Sequence, residues 1–137
     1  MPELPEVEHV KRGIEPFIVN TVIKSITFSE KVIEGKNQHK ETIIKGMNLD
    51  DFRLNCEDYK IIKVERRSKY IVFYIEKNNR KRVLISHLGM AGGFFIVNHL
   101  SEITTPNYRK HWHVIFQLDN GKKLVFSDIR RFGGVSY

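Results

Sequence analysis

From Lys60 to Ser127 the chain reads as short apolar segments separated by turn signals, and this pattern fits little besides a layered antiparallel β-fold. The segments are Ile61-Ile62-Lys63-Val64, Tyr70 to Ile75, Val83 to Leu88, Phe94 to Val97, His111 to Leu118 and Lys123 to Ser127. Asn78-Asn79 and Asp119-Asn120-Gly121 are hairpin turns in the making, because asparagine and glycine accept the positive φ that tight turns require. Trp112, Val114, Phe116 and Leu118 alternate with His111, His113, Ile115 and Gln117, as a strand buried on one face should. Strands joined this tightly pair antiparallel, which leaves a sandwich or a barrel. Upstream, Thr21 to Phe28 reads as a further strand. The polar stretch 31–46 reads as a loop or irregular hairpin, and 48–59 as a short helix anchored by Leu49, Phe52 and Leu54. The expected architecture is mainly β: an antiparallel β-sandwich with an N-terminal α-helix and one further short helix, in a single domain of 137 residues.

The N-terminal helix follows from Leu4, Val7, Val10 and Ile14, which recur at helical spacing. Glu8 and Arg12 form an i,i+4 pair on the polar side, and Pro5 fits a first turn, where a missing N–H costs little. Gly13 and Pro16 mark the expected end.

The opening Met1-Pro2-Glu3-Leu4-Pro5-Glu6-Val7-Glu8 carries chemistry of its own. Removal of Met1 exposes Pro2 as a secondary α-amine. An α-amine has a pKa of about 8, against about 10.4 for lysine, so far more of it is neutral and nucleophilic near neutrality. Attack by a secondary amine on a sugar aldehyde carbon gives an iminium with no N–H proton to lose, and that cation is an electron sink. Glu3 and Glu6 lie three residues apart near the helix start and can move protons. The helix dipole disfavours a protonated amine there, which lowers the pKa of Pro2. The plainer reading is a proline-containing helix start with solvated carboxylates. A third, a proline-rich ligand motif in Pro2-Glu3-Leu4-Pro5, needs an extended conformation that the helical spacing opposes.

The formal net charge of +7 favours a polyanionic partner. A single cysteine, Cys56, excludes an internal disulfide framework and a multi-cysteine zinc site, and reads as a free thiol of a reducing compartment. Neither a secretory signal nor an apolar run of membrane-spanning length is present, so a cytoplasmic location and no membrane partner are expected. A monomer is the expected state. His111 and His113 lack a third ligand and make no metal site. Lys77-Asn78-Asn79-Arg80-Lys81-Arg82 reads as a solvated hairpin.

The opening block, together with Arg66-Arg67-Ser68-Lys69-Tyr70, His87-Leu88-Gly89-Met90 and Asp128-Ile129-Arg130-Arg131-Phe132-Gly133, resembles the formamidopyrimidine-DNA glycosylases. The blocks stand in that family's order from Pro2 to Gly133, and Leu4 sides with its oxidised-purine branch. The resemblance implies an enzyme that removes 8-oxoguanine and formamidopyrimidines from double-stranded DNA and then cleaves the strand by β- and δ-elimination. The damaged nucleotide is flipped out of the duplex.

Carried over, Pro2 attacks C1′ to form the Schiff base, Glu3 moves protons on the deoxyribose, and Glu6 is a supporting carboxylate. Lys69 contacts the phosphate beside the lesion and donates a proton in β-elimination. By strand parity alone, Lys69 groups with Ile71, Phe73 and Ile75 and reads as a snorkelling end-of-strand lysine. Met90, Arg130 and Phe132 fill the gap left by the flipped base, with Arg131 as a further DNA contact, while His87 and His111 touch the DNA backbone. The family's full enzyme is roughly twice as long. Its second half carries a helix–two-turn–helix and a four-cysteine finger holding one zinc, so residues 1–137 match the N-terminal catalytic domain, with no cofactor of its own. The competing reading, a non-catalytic nucleic-acid-binding β-domain, rests on the charge and the basic strand ends.

Overall fold

A computed structural model describes residues 4–37, 44, 47–88, 92–128 and 134–136. Two four-stranded antiparallel sheets pack face to face as a sandwich. One is ordered β1 (Ile23–Phe28), β6 (Trp112–Leu118), β7 (Lys123–Asp128), β5 (Gly92–Val97). The other is ordered β2 (Lys60–Arg67), β3 (Tyr70–Lys77), β4 (Arg80–His87), β8 (Gly134–Ser136). Neither closes into a barrel, so of the two architectures left open by the pattern the sandwich is the one adopted.

Strand parity explains the core. Ile71, Phe73 and Ile75 of β3 are buried and face Phe94, Phe116 and Leu124 of the other sheet around a common apolar centre. The Phe73 and Phe94 rings meet edge-on at 5.6 Å, and Phe94 lies 5.2 Å from Phe126. Helix α3 (Leu49–Cys56) closes one flank. Its N-cap Asn48 side chain accepts a hydrogen bond from the Asp51 amide at 2.8 Å, and Phe52 reaches Phe28 and Phe116. Leu54, expected as an anchor of this helix, is 75% exposed.

Helix α1 (Leu4–Ile18) buries Val7, Ile14 and Ile18. It runs through Gly13 and past Pro16, beyond its expected end. Pro16 forfeits one backbone hydrogen bond, and full burial of Ile18 two residues later offsets that loss. Because Leu4 and Pro5 are already helical, the extended ligand reading of the N-terminus does not hold for these residues. Two further short helices were not anticipated. One is α2 (Glu30–Asn37), inside the stretch expected to be a loop and held by buried Val32; the other is α4 (Pro106–Lys110).

The clean alternation expected along β6 also fails. A register shift between Trp112 and Val114 lets both faces become buried. Val114, Phe116 and Leu118 enter the main core, while Ile115 joins Val97, Ile103 and Val125 in a smaller cluster beneath the β5–β6 connection.

Candidate active site

The site is assembled at one end of the β2–β3–β4–β8 sheet. Ser68 adopts φ 55° and lets β2 turn back into β3 within two residues, which places Lys69 exposed at the tip. The next residue, Tyr70, pairs across with His87, and His87 pairs in turn with Gly134. The Tyr70 and His87 rings lie 5.3 Å apart. Lys69, expected from parity to be a snorkelling strand lysine, is instead a turn residue. Among the described residues no carboxylate lies within ion-pair distance of its ammonium.

Helix α1 brings its first turn to the same end through one ion pair. Arg66 donates from Nε to Glu8 Oε1 at 3.0 Å and from a terminal nitrogen to the Ser68 carbonyl at 3.1 Å. A single guanidinium thereby links the helix to the turn that carries Lys69. Arg12 holds the other oxygen of Glu8 at 3.1 Å, the i,i+4 pair expected from sequence. The Arg66 hydrogen bond is the main cause holding the Glu8 carboxyl below the ordinary glutamate value, and Arg12 adds to it.

Glu6 is exposed on the first turn of α1 and borders a cleft of about 390 Å³ with His9, Leu88, Gly92 and Tyr108. Gly92 is required there: a Cβ would stand 1.9 Å from the Leu88 carbonyl oxygen. Tyr108 is placed by its ring contact with Phe95 at 5.2 Å.

His111 is not a strand residue but the C-cap of α4, half-buried, with its carbonyl accepting from the Asp128 amide at 3.2 Å. His113 is fully buried, and its Nε2 lies 2.9 Å from the Asp128 carbonyl oxygen. Among the described residues no group of three metal-ligating side chains forms.

Glu6, Lys69, His87 and, through Asp128, His111 thus gather at one rim. Pro2, Glu3, Met90, Arg130, Arg131 and Phe132 lie outside the described residues. Residues that flank them in sequence do belong to the rim: Gly92 pairs with Asp128, and Gly134 with His87. Sequence reasoning missed the linking role of Arg66, although it stands inside a quoted motif, and had no signal for Tyr108. Cys56 is buried, and burial pushes its thiol up to about 12.

The family model for the formamidopyrimidine-DNA glycosylase N-terminal domain matches residues 1–135. Formamidopyrimidine-DNA glycosylase of Rickettsia bellii is 38% identical over 133 residues, covering 97% of this chain and 42% of the relative. That of Ligilactobacillus salivarius is 36% identical over 135 residues, covering 97% and 41%. The chain thus spans about two fifths of the length of the curated relatives it matches. Among solved structures, Lactococcus lactis Fpg bound to DNA containing an abasic site aligns with a TM-score of 0.75 at 27% identity, over 98% of this chain and 43% of that one. The same protein bound to DNA containing an oxidised pyrimidine aligns with a TM-score of 0.75 at 28% identity and the same coverage. Among the described residues no helix is long and apolar enough to cross a membrane.

Proposed function

Because this chain belongs to the formamidopyrimidine-DNA glycosylase family through its N-terminal domain, we propose that it is the catalytic part of a base-excision repair enzyme acting on oxidised purines in double-stranded DNA. The observation that carries this reading is the Arg66–Glu8 pair, which ties helix α1, whose Glu6 borders the cleft at Leu88, to the turn that carries Lys69 beside the Tyr70–His87 pair.

In this reading the Pro2 amine, freed by removal of Met1, attacks C1′ of the damaged nucleotide. The C1′–N bond breaks and the base leaves with a proton; Glu3 serves the deoxyribose oxygen. The iminium then draws electrons from C2′ as a proton is lost there, and the 3′ phosphate departs by β-elimination. Lys69, exposed and without a carboxylate within ion-pair distance among the described residues, meets the phosphate beside the lesion and supplies a proton to the leaving group. His87 and His111 contact the DNA backbone. Met90, Arg130, Arg131 and Phe132 enter the duplex where the base has left. A four-cysteine site does not fit this chain, whose one cysteine is buried in the core.

The reading is tested by incision of a duplex carrying 8-oxoguanine or a formamidopyrimidine, using protein whose mass shows Met1 removed. Release of the damaged base with strand cleavage is expected, and neither from the undamaged duplex. Equal binding of damaged and undamaged duplex with no release would leave a nucleic-acid-binding domain without catalysis.

A further inference from the structure

The end of the sheet opposite the rim carries a second cluster of basic side chains. Asn78 and Asn79, at φ 50° and 67°, close β3 onto β4 in a two-residue turn, and this fixes the register so that Lys77 stands directly across from Arg80. Like charges directly opposite in a sheet are destabilising. A hairpin selected for stability alone would compensate them, as the next pair does by setting Glu76 against Lys81.

The positive charge is concentrated further by Tyr59, a buried side chain on the same end. Arg82 donates to its hydroxyl at 2.9 Å, and the Lys77 ammonium and Arg82 guanidinium lie 5.9 and 5.8 Å from its ring centre. Burial pushes this phenol up, yet hydrogen bonds and charge from Arg82 and Arg80 leave it below its ordinary value. Among the described residues, no carboxylate lies within 4.0 Å of Lys77, Arg80 or Lys81. By contrast Lys11, Arg12, Arg53, Lys63, Arg66 and Arg67 each meet one.

We infer that the β3–β4 hairpin is a second DNA contact, in which Lys77, Arg80 and Lys81 bind phosphates of the same duplex whose lesion lies at the Lys69 rim. This rests on the DNA reading above. Its geometry is set by β3: the seven steps from Tyr70 to Lys77, at about 3.4 Å each, separate rim and tip by about 24 Å. That is about seven phosphate steps along one strand. The contact reads no sequence; it adds affinity and fixes how the duplex lies.

The test is fluorescence anisotropy on a 24-base-pair duplex with a central abasic-site analogue, comparing the unsubstituted chain with Lys77→Gln/Arg80→Gln/Lys81→Gln across a salt series. Loss of three phosphate contacts should flatten the slope of log affinity against log salt by about 2.7, and Lys81→Gln alone by about 0.9. The thermal midpoint of the triple variant should hold or rise, because the Lys77–Arg80 repulsion is gone. Borohydride trapping at saturating abasic duplex should survive. An unchanged slope overturns the hairpin contact while leaving the rim reading intact. So does a loss of binding confined to anionic phosphatidylserine vesicles. Hairpin-dependent binding without any trapping overturns the catalytic reading instead, and an unsubstituted chain that fails to bind duplex at low salt overturns both.

Discussion

Arg66 and Glu8, 58 residues apart in sequence, meet at 3.0 Å, and the same arginine holds the Ser68 carbonyl beside Lys69. The helix that follows Pro2 in the sequence is therefore registered against the turn that carries Lys69 by one guanidinium with two acceptors. A lysine has neither the planar fork nor the reach to serve both acceptors at once.

Arg66→Ala or Glu8→Gln should slow covalent trapping at saturating DNA by about tenfold to a hundredfold, the usual cost of misplacing reacting groups by an ångström. Arg66→Lys should recover only part of it. Affinity for undamaged duplex, measured alongside, should change little, which separates positioning from binding.

The same pair sets a pH signature. Glu8 titrates below the ordinary glutamate value of 4.5 in the folded chain, so its contribution to stability is complete above that pH and is lost as pH falls through the lower folded value. The difference in thermal midpoint between the unsubstituted chain and Glu8→Gln should be constant from pH 5 to 8 and shrink in more acid solution. A difference that grows towards acid would contradict the pairing.

Gly92→Ala should destabilise the fold by about 3 kcal/mol, because the added carbon meets the Leu88 carbonyl oxygen and the backbone beside the cleft must shift. Gly93→Ala, whose nearest atom would be a Phe95 ring carbon at 3.4 Å, should be tolerated far better. Chemical denaturation of the two variants makes the comparison.

Cys56 should resist iodoacetamide at pH 8 in the folded chain and react once unfolded. Burial raises its thiol to about 12, so the nucleophilic thiolate is scarce until the core opens. Rapid alkylation of the folded protein would place Cys56 outside the core.

Much of this was legible in the sequence because it is local. Asn78-Asn79 and the alternation of Ile71, Phe73 and Ile75 specify a hairpin and an inward face without reference to the rest of the chain. What escaped depends on tertiary context. Pro16 and Gly13 stay helical because Ile18 gains a buried site, and β6 breaks its alternation because a second cluster waits on its outer face. The site divides the same way. The motifs marked Lys69 and His87, but nothing local pairs Arg66 with Glu8 or brings Tyr108 to Glu6. The Lys77–Arg80 opposition was implicit in the two-residue turn and was hidden only by reading the run as charge without register.

The central claim is that Pro2 supplies the amine, and borohydride trapping on an abasic-site duplex tests it most directly. Protein lacking Met1 should form a covalent adduct that peptide mass mapping places on Pro2, and protein retaining Met1, whose Pro2 nitrogen is an amide, should form none. An adduct on a lysine, or trapping that is as efficient with Met1 in place, would contradict the assignment.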